Sequence, residues 1–225
     1  MNNFLTKLSL IFKDKGIRKR IIFTLSILVV FRFLAAIPIP GIDLAKLSQL
    51  LANNQFLGLL NIFSGGGLNQ LSIIMLGVGP YITGSIIMQL LTIMSPKLKA
   101  MYQEEGEAGR AKFSQFSRLL SIPLAILQSF GFLILLQNQN IIGHLSTLPL
   151  ITNILVITGG SVLLMWLGEI VTEFGIGNGV SLIIFAGIVA YVPTHISQAL
   201  FAYDPSQIPL YVGFIVAAVA VVLGV

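Results

Sequence analysis

The chain has 225 residues, 56% of them hydrophobic and 9% charged, with a formal net charge of +5. A soluble domain carries about 25% charged residues, so the composition excludes one and describes an integral membrane protein. Its segments are apolar on all sides and lack the period-two alternation of a transmembrane barrel, which makes it all-α. The absence of cysteine excludes disulfides and thiolate chemistry.

The charge is placed unevenly. All thirteen Lys and Arg lie at or before Arg118, six of them in residues 7–20 and five in residues 97–118. These are clusters at membrane flanks rather than a nucleic-acid surface.

In chain order, Phe4, Leu8, Ile11 and Phe12 recur at helical spacing, with Lys7, Lys13 and Lys15 on other faces. Residues 3–15 are therefore predicted as an amphipathic helix on an anionic membrane surface. Arg18-Lys19-Arg20 marks a cytoplasmic flank. Span 1 is predicted at about 21–37, closed by Pro38 and Pro40. It is not read as a cleaved signal peptide, because it holds Arg32, exceeds the usual apolar core and lacks a small-residue cleavage site. Residues 42–56 are predicted as a polar outer loop.

The stretch from Phe56 to Met94 is too long for one span and too short for two, since each needs ~20 residues. Gly65-Gly66-Gly67 breaks it. Irregular backbone at membrane depth is tolerated where it is buried in protein or lines a watery cavity. The expectation is a half-inserted piece at about 57–72, then span 2 at about 73–94. The charged loop 97–118 is cytoplasmic by the positive-inside rule, as is the N-terminus. Span 3 (about 119–137), an outer loop with His144, span 4 (about 151–168, Trp166 near its inner end), a short inner loop with Glu169 and Glu173, and span 5 (about 180–200) follow. Span 6, about 210–225, is incomplete, and a fragment is the expectation.

Several motifs invite chemistry. Ile82 and Ile86 share one helix face, as do Val180 and Ile184, and each pair is either a packing stripe or part of an apolar constriction that gates by dewetting. Gly84 and Ser85 suit close helix packing. Arg32 is either a functional intramembrane charge or a side chain snorkelling to the interface. Glu169 and Glu173, at i and i+4, suit an ion-coupled transporter or, more plainly, an inner boundary where one of them caps the following turn. The glycines of Gly175-Ile176-Gly177-Asn178-Gly179 follow no strand and precede no Walker lysine, so they read as an inter-helix turn and not a phosphate loop. No nucleophile, base or metal-ligand constellation appears, so neither an enzyme nor a cofactor is expected.

Taken together the motifs resemble one family. Ile37-Pro38-Ile39-Pro40-Gly41-Ile42-Asp43, Ile62-Phe63-Ser64-Gly65-Gly66, the run from Pro80 to Leu91, Glu105 to Arg110, Trp166 to Glu173, Gly175 to Ser181 and Phe185 to Val189 follow the order found in SecY proteins, the central subunits of bacterial Sec translocases. The resemblance implies the N-terminal half of a ten-helix inverted-repeat clamshell with an hourglass pore. It implies a plug at about 57–72 (Phe63, Ser64, Gly65, Gly66, Gly67 and Leu68 at its centre). Ile82, Ile86, Val180 and Ile184 would be the pore ring, with spans 2 and 3 on one side of a lateral gate. The implied function is a protein-conducting channel subunit in the bacterial plasma membrane, for secretion of unfolded preproteins and lateral insertion of membrane proteins. The implied partners are SecE, SecG, the SecA ATPase, the ribosome, signal sequences, the lipid bilayer and the C-terminal half of the channel. The alternative is a secondary transporter with its glycine-broken helix at the substrate site.

Overall fold

The computed structural model describes residues 14–39, 64, 67–68, 70–143, 145–201 and 208–224. Most of the expected amphipathic helix (3–13), the 42–56 loop, Phe63, Gly65, Gly66 and His144 lie outside the described residues. Among those described, the regular elements are all helical: α1 (Lys15–Ala35), α2 (Gly79–Met94), α3 (Pro96–Gln103), α4 (Gly106–Asn138), α5 (Thr147–Phe174), α6 (Gly179–Phe201) and α7 (Ile208–Gly224). The chain divides into two compact units, 1–188 and 189–225. The second unit holds the C-terminal part of α6 and the apolar α7, whose Val216, Val219, Val221 and Leu223 are exposed.

α1 starts where Asp14 caps it, its carboxylate accepting from the Gly16 amide at 2.7 Å and from Ile17 at 3.4 Å. One face, Ile22, Leu25, Val29 and Phe33, is exposed, and the other buries Phe31 and Ala35. An exposed apolar face of this length suits lipid.

Residues 97–118, expected as a loop, are largely helical. α3 and the first turns of α4 form a hairpin across Gly106, whose φ of +62° reverses the chain. Gly109 lies against α3 so closely that a Cβ there would sit 2.1 Å from the Met101 carbonyl. The charges of this segment gave a correct boundary for apolarity but not for the helix, because charged residues extend a helix into water without breaking it.

Span 2 also differs from expectation. Residues 73–78 are not helical but form consecutive turns, and α2 begins only at Gly79-Pro80. Left-handed backbone at Leu71 (φ +40°) and Gly77 (φ +58°) interrupts any earlier helix. With 16 residues, α2 is about 24 Å long at 1.5 Å per residue, shorter than the ~30 Å hydrocarbon layer.

Much of this backbone is paired. The amide of Ile39 donates to the Leu71 carbonyl at 2.9 Å and that of Ile73 to Ile37 at 3.1 Å, a short bridge between the exit of α1 and the turns. Met75, Gly77 and Gly79 amides donate within the turns to Ser72, Ile74 and Leu76. The amides of Leu71, Ser72, Ile73, Met75, Gly77 and Gly79 thus each find a partner inside the protein, as irregular backbone at membrane depth requires.

Two apolar clusters meet at this stretch. One gathers Ile39, Leu68, Leu71 and Met75 with the end of α4 (Phe132, Leu133, Leu136), Ile141, Ile142 and Ile157. The other joins Phe31, Ala35, Ile74, Val78, Leu164 and Ile183, with Ile82, Val180 and Ile184 packed against it. α2 lies along α4, where Gly84 approaches the Ser117 carbonyl and the Ser121 backbone. Gly84 is thus a packing glycine.

Candidate functional site

The site is a concavity of about 850 Å³ between α2, α4, α5 and the start of α6. Ile82 and Ile86 from α2 and Val180 and Ile184 from α6 all line it. The sequence spacing placed each pair on one helix face, and the fold brings the two pairs to one cavity. Ile82, Val180 and Ile184 are half-buried against the second cluster, whereas Ile86 is 51% exposed, the most open of the four.

The cavity changes character along its length. Gln89 follows Ile86 on α2, and Asn178 precedes Val180 before α6. Arg118 and Ser114 from α4 and Glu169 and Glu173 from α5 line the same end. α4 and α5 run antiparallel here, since Ser121 donates to the Met165 sulfur at 3.4 Å while Arg118 pairs with Glu169. An apolar waist therefore opens into a polar mouth.

The Arg118–Glu169 ion pair was missed in the sequence, where the glutamates lacked a nearby base. A signal did exist. Arg118 is the last basic residue before an apolar span, Glu169 the first acid after another, and antiparallel neighbours bring such flanks to the same depth. Neither glutamate lies in a loop as expected. α5 continues to Phe174 and carries both, because Glu is a good helix former and no glycine intervenes before Gly175.

The turn into α6 is held by other groups. Thr172 accepts from the Gly179 amide at 2.9 Å, and Asn178 caps α6 by accepting from the Ser181 amide at 3.0 Å. Thr24 of α1 accepts from the Ile176 amide at 3.3 Å. The expected glutamate cap is thus replaced by Thr172 and Asn178, whose shorter side chains reach the local amides. A Cβ on Gly179 would lie 2.0 Å from the Gly168 carbonyl, and one on Gly168 would lie 2.9 Å from a Val180 methyl. Only glycine permits this crossing, which fixes Val180 at the cavity wall.

The other sequence candidates fall elsewhere. Arg32 sits exposed in the last turn of α1, where a cation complements the helix C-terminus. Of the glycine-broken piece, Ser64, Gly67, Leu68 and residues 70–72 are described, and all of these but Gln70 are buried. Ser64 accepts from the Leu68 amide at 3.3 Å, and Leu68 packs in the first cluster.

Comparison with known proteins agrees with this architecture. The SecY family model matches residues 72–225. The chain is 43% identical over 196 residues to the protein translocase subunit SecY of Corynebacterium glutamicum, covering 81% of this chain and 44% of that protein. It is 40% identical over 223 residues to that of Mycobacterium leprae, covering 93% and 49%. It is 43% identical over 185 residues to that of Synechocystis, covering 82% and 42%. Among solved structures, Sec61 in the canine ribosome-channel complex from the endoplasmic reticulum aligns with a TM-score of 0.63 at 25% identity, over 91% of this chain and 46% of that one. A structure described as a protein conducting channel aligns with the same score and coverage. The chain spans about half the length of the curated relatives it matches. By the family match, the identity to its relatives and the shared all-helical membrane fold, the chain belongs to the SecY family.

Proposed function

We propose that residues 1–225 supply one wall of a protein-conducting channel that moves unfolded preproteins across the bacterial plasma membrane and releases membrane segments sideways into lipid. The observation that carries this reading is the convergence of Ile82, Ile86, Val180 and Ile184 on one concavity. An apolar waist facing a similar wall excludes water at rest and offers a passing chain contacts without covalent chemistry. The second wall comes from the other half of the channel. The segment at about 57–72 serves as the plug, and α2 and α4 face the lateral gate. SecE, SecG, SecA and the ribosome are the partners that this reading assigns. The N-terminus and the α3–α4 hairpin lie in the cytoplasm, on the strength of their basic residues.

A secondary transporter would gather ion-coordinating oxygens at the middle of its site, whereas the four side chains that converge at the waist are aliphatic and the two carboxylates lie at the mouth.

The test uses the full-length subunit, with residues 1–225 continued by the second half of the C. glutamicum relative. A photo-crosslinker replaces Ile86, and a secretory precursor is stalled in transit. Labelling of the precursor from position 86, and not from lipid-facing Val29, is the expected result. Equal labelling from both positions, or none from 86, overturns the pore assignment.

A further inference from the structure

The apolar waist works only if the short helix bearing Ile82 and Ile86 is held at a fixed height. α2 follows irregular backbone directly, so its own hydrogen-bond ladder does not anchor it upstream. That ladder begins at the Val78 carbonyl, which accepts from the Ile82 amide at 3.0 Å. The Gly77 carbonyl therefore lies outside it and is buried. Its partner comes from a distant helix: the Ser161 hydroxyl of α5 donates to it at 2.8 Å. Left unpaired at this depth, such a carbonyl is costly.

We infer that Ser161 is a positioning residue for the waist, holding the Gly77 carbonyl and so setting the height of Ile82 and Ile86. The inference rests on the pore reading above and deepens it. Gly160, beside Ser161, lets the α5 backbone touch the same turns: a Cβ there would lie 2.1 Å from the Ile73 carbonyl. Upstream, the bonds from Ile39 to Leu71 and from Ile73 to Ile37 tie the other end of the stretch to the exit of α1. Residues 71–77 are thus held at both ends. Displacement at Gly77 passes on, because Ile74 and Val78 share one cluster with Ile82, Val180 and Ile184.

The experiment is a double-mutant cycle on resting ion leak, in vesicles containing the same full-length subunit, compared at equal amounts of inserted protein. The variants are Ser161→Ala, Ile86→Gly and the pair. Ser161→Ala is expected to raise the leak up to about tenfold, the factor that loss of one buried hydrogen bond allows. Ile86→Gly is expected to leak at least as much. In the pair the Ser161 effect should shrink, because the waist it positions is already open. Where Ser161→Ala accumulates poorly, Ser161→Cys keeps the volume and a weak donor and is read the same way, with a smaller leak. A leak from Ile86→Gly but none from Ser161→Ala overturns the positioning role and leaves the pore reading standing. Effects that multiply independently in the pair also overturn it. No leak from Ile86→Gly overturns the pore reading and this inference with it.

Discussion

Residues 71–78 and the cavity wall from Ile82 to Gln89 are neighbours in the chain and opposite in kind. The first has no regular structure and is almost wholly buried. The second is a regular helix with one face open. Ile74 is 0% exposed and Ile86 51%, although both are isoleucines in the same apolar run. In lipid, apolarity no longer separates inside from outside, since the solvent is as apolar as the core. What separates these regions is whether backbone and side chains are matched by other protein atoms.

Four substitutions sharpen that contrast, read by SDS titration of the chain in mixed micelles unless stated. The largest effect is expected at Gly160→Ala. Its methyl meets a backbone carbonyl of the buried turns rather than a movable side chain, so α5 must shift, at a cost of about 3 kcal/mol. A cost below about 1 kcal/mol would mean the turns yield easily and are not a clamp. Ile74→Ala comes next. The transfer term is small in lipid, but the cavity and lost contacts remain, giving about 2 kcal/mol.

Arg118→Ala follows at about 1 kcal/mol, because the pair is partly exposed and its attraction is screened at the cavity mouth. The double variant Arg118→Ala/Glu169→Gln should recover part of this loss, since it removes the carboxylate left alone. No recovery would show that the pair contributes packing rather than charge. Ile86→Ala should change stability by no more than about 0.5 kcal/mol. A cost similar to that of Ile74→Ala would show that position 86 is packed in the chain by itself, and the open wall would be lost as a reading.

Much of this was legible beforehand, for identifiable reasons. The all-helical class followed from composition. The break before α2 followed from length against membrane thickness, although its lower end was placed at 72 and lies at Val78. That error arose because Ile73, Ile74 and Met75 are good apolar helix residues, while the left-handed backbone at Gly77 and the contact with Gly160 override them. Ile82 with Ile86, and Glu169 with Glu173, were paired by spacing alone, and each pair lines the cavity. The caps of α6 were misassigned to the glutamates, because charge suggested a role that geometry gave to Thr172 and Asn178.

By itself the sequence determined the all-helical class, the apolar segments, the presence of a break before α2 and the residues that share a helix face. Those are local properties, set by propensity, periodicity and length against a bilayer. Only the tertiary structure decided which faces meet: Arg118 with Glu169, Ser161 with the Gly77 carbonyl, Gly168 with Gly179, and the two aliphatic pairs across one cavity. In a membrane chain a face turned to lipid and a face turned to protein are written in the same apolar residues. The choice of neighbour rests on shape and on a few polar groups that must find partners, and both are settled only when the helices are together.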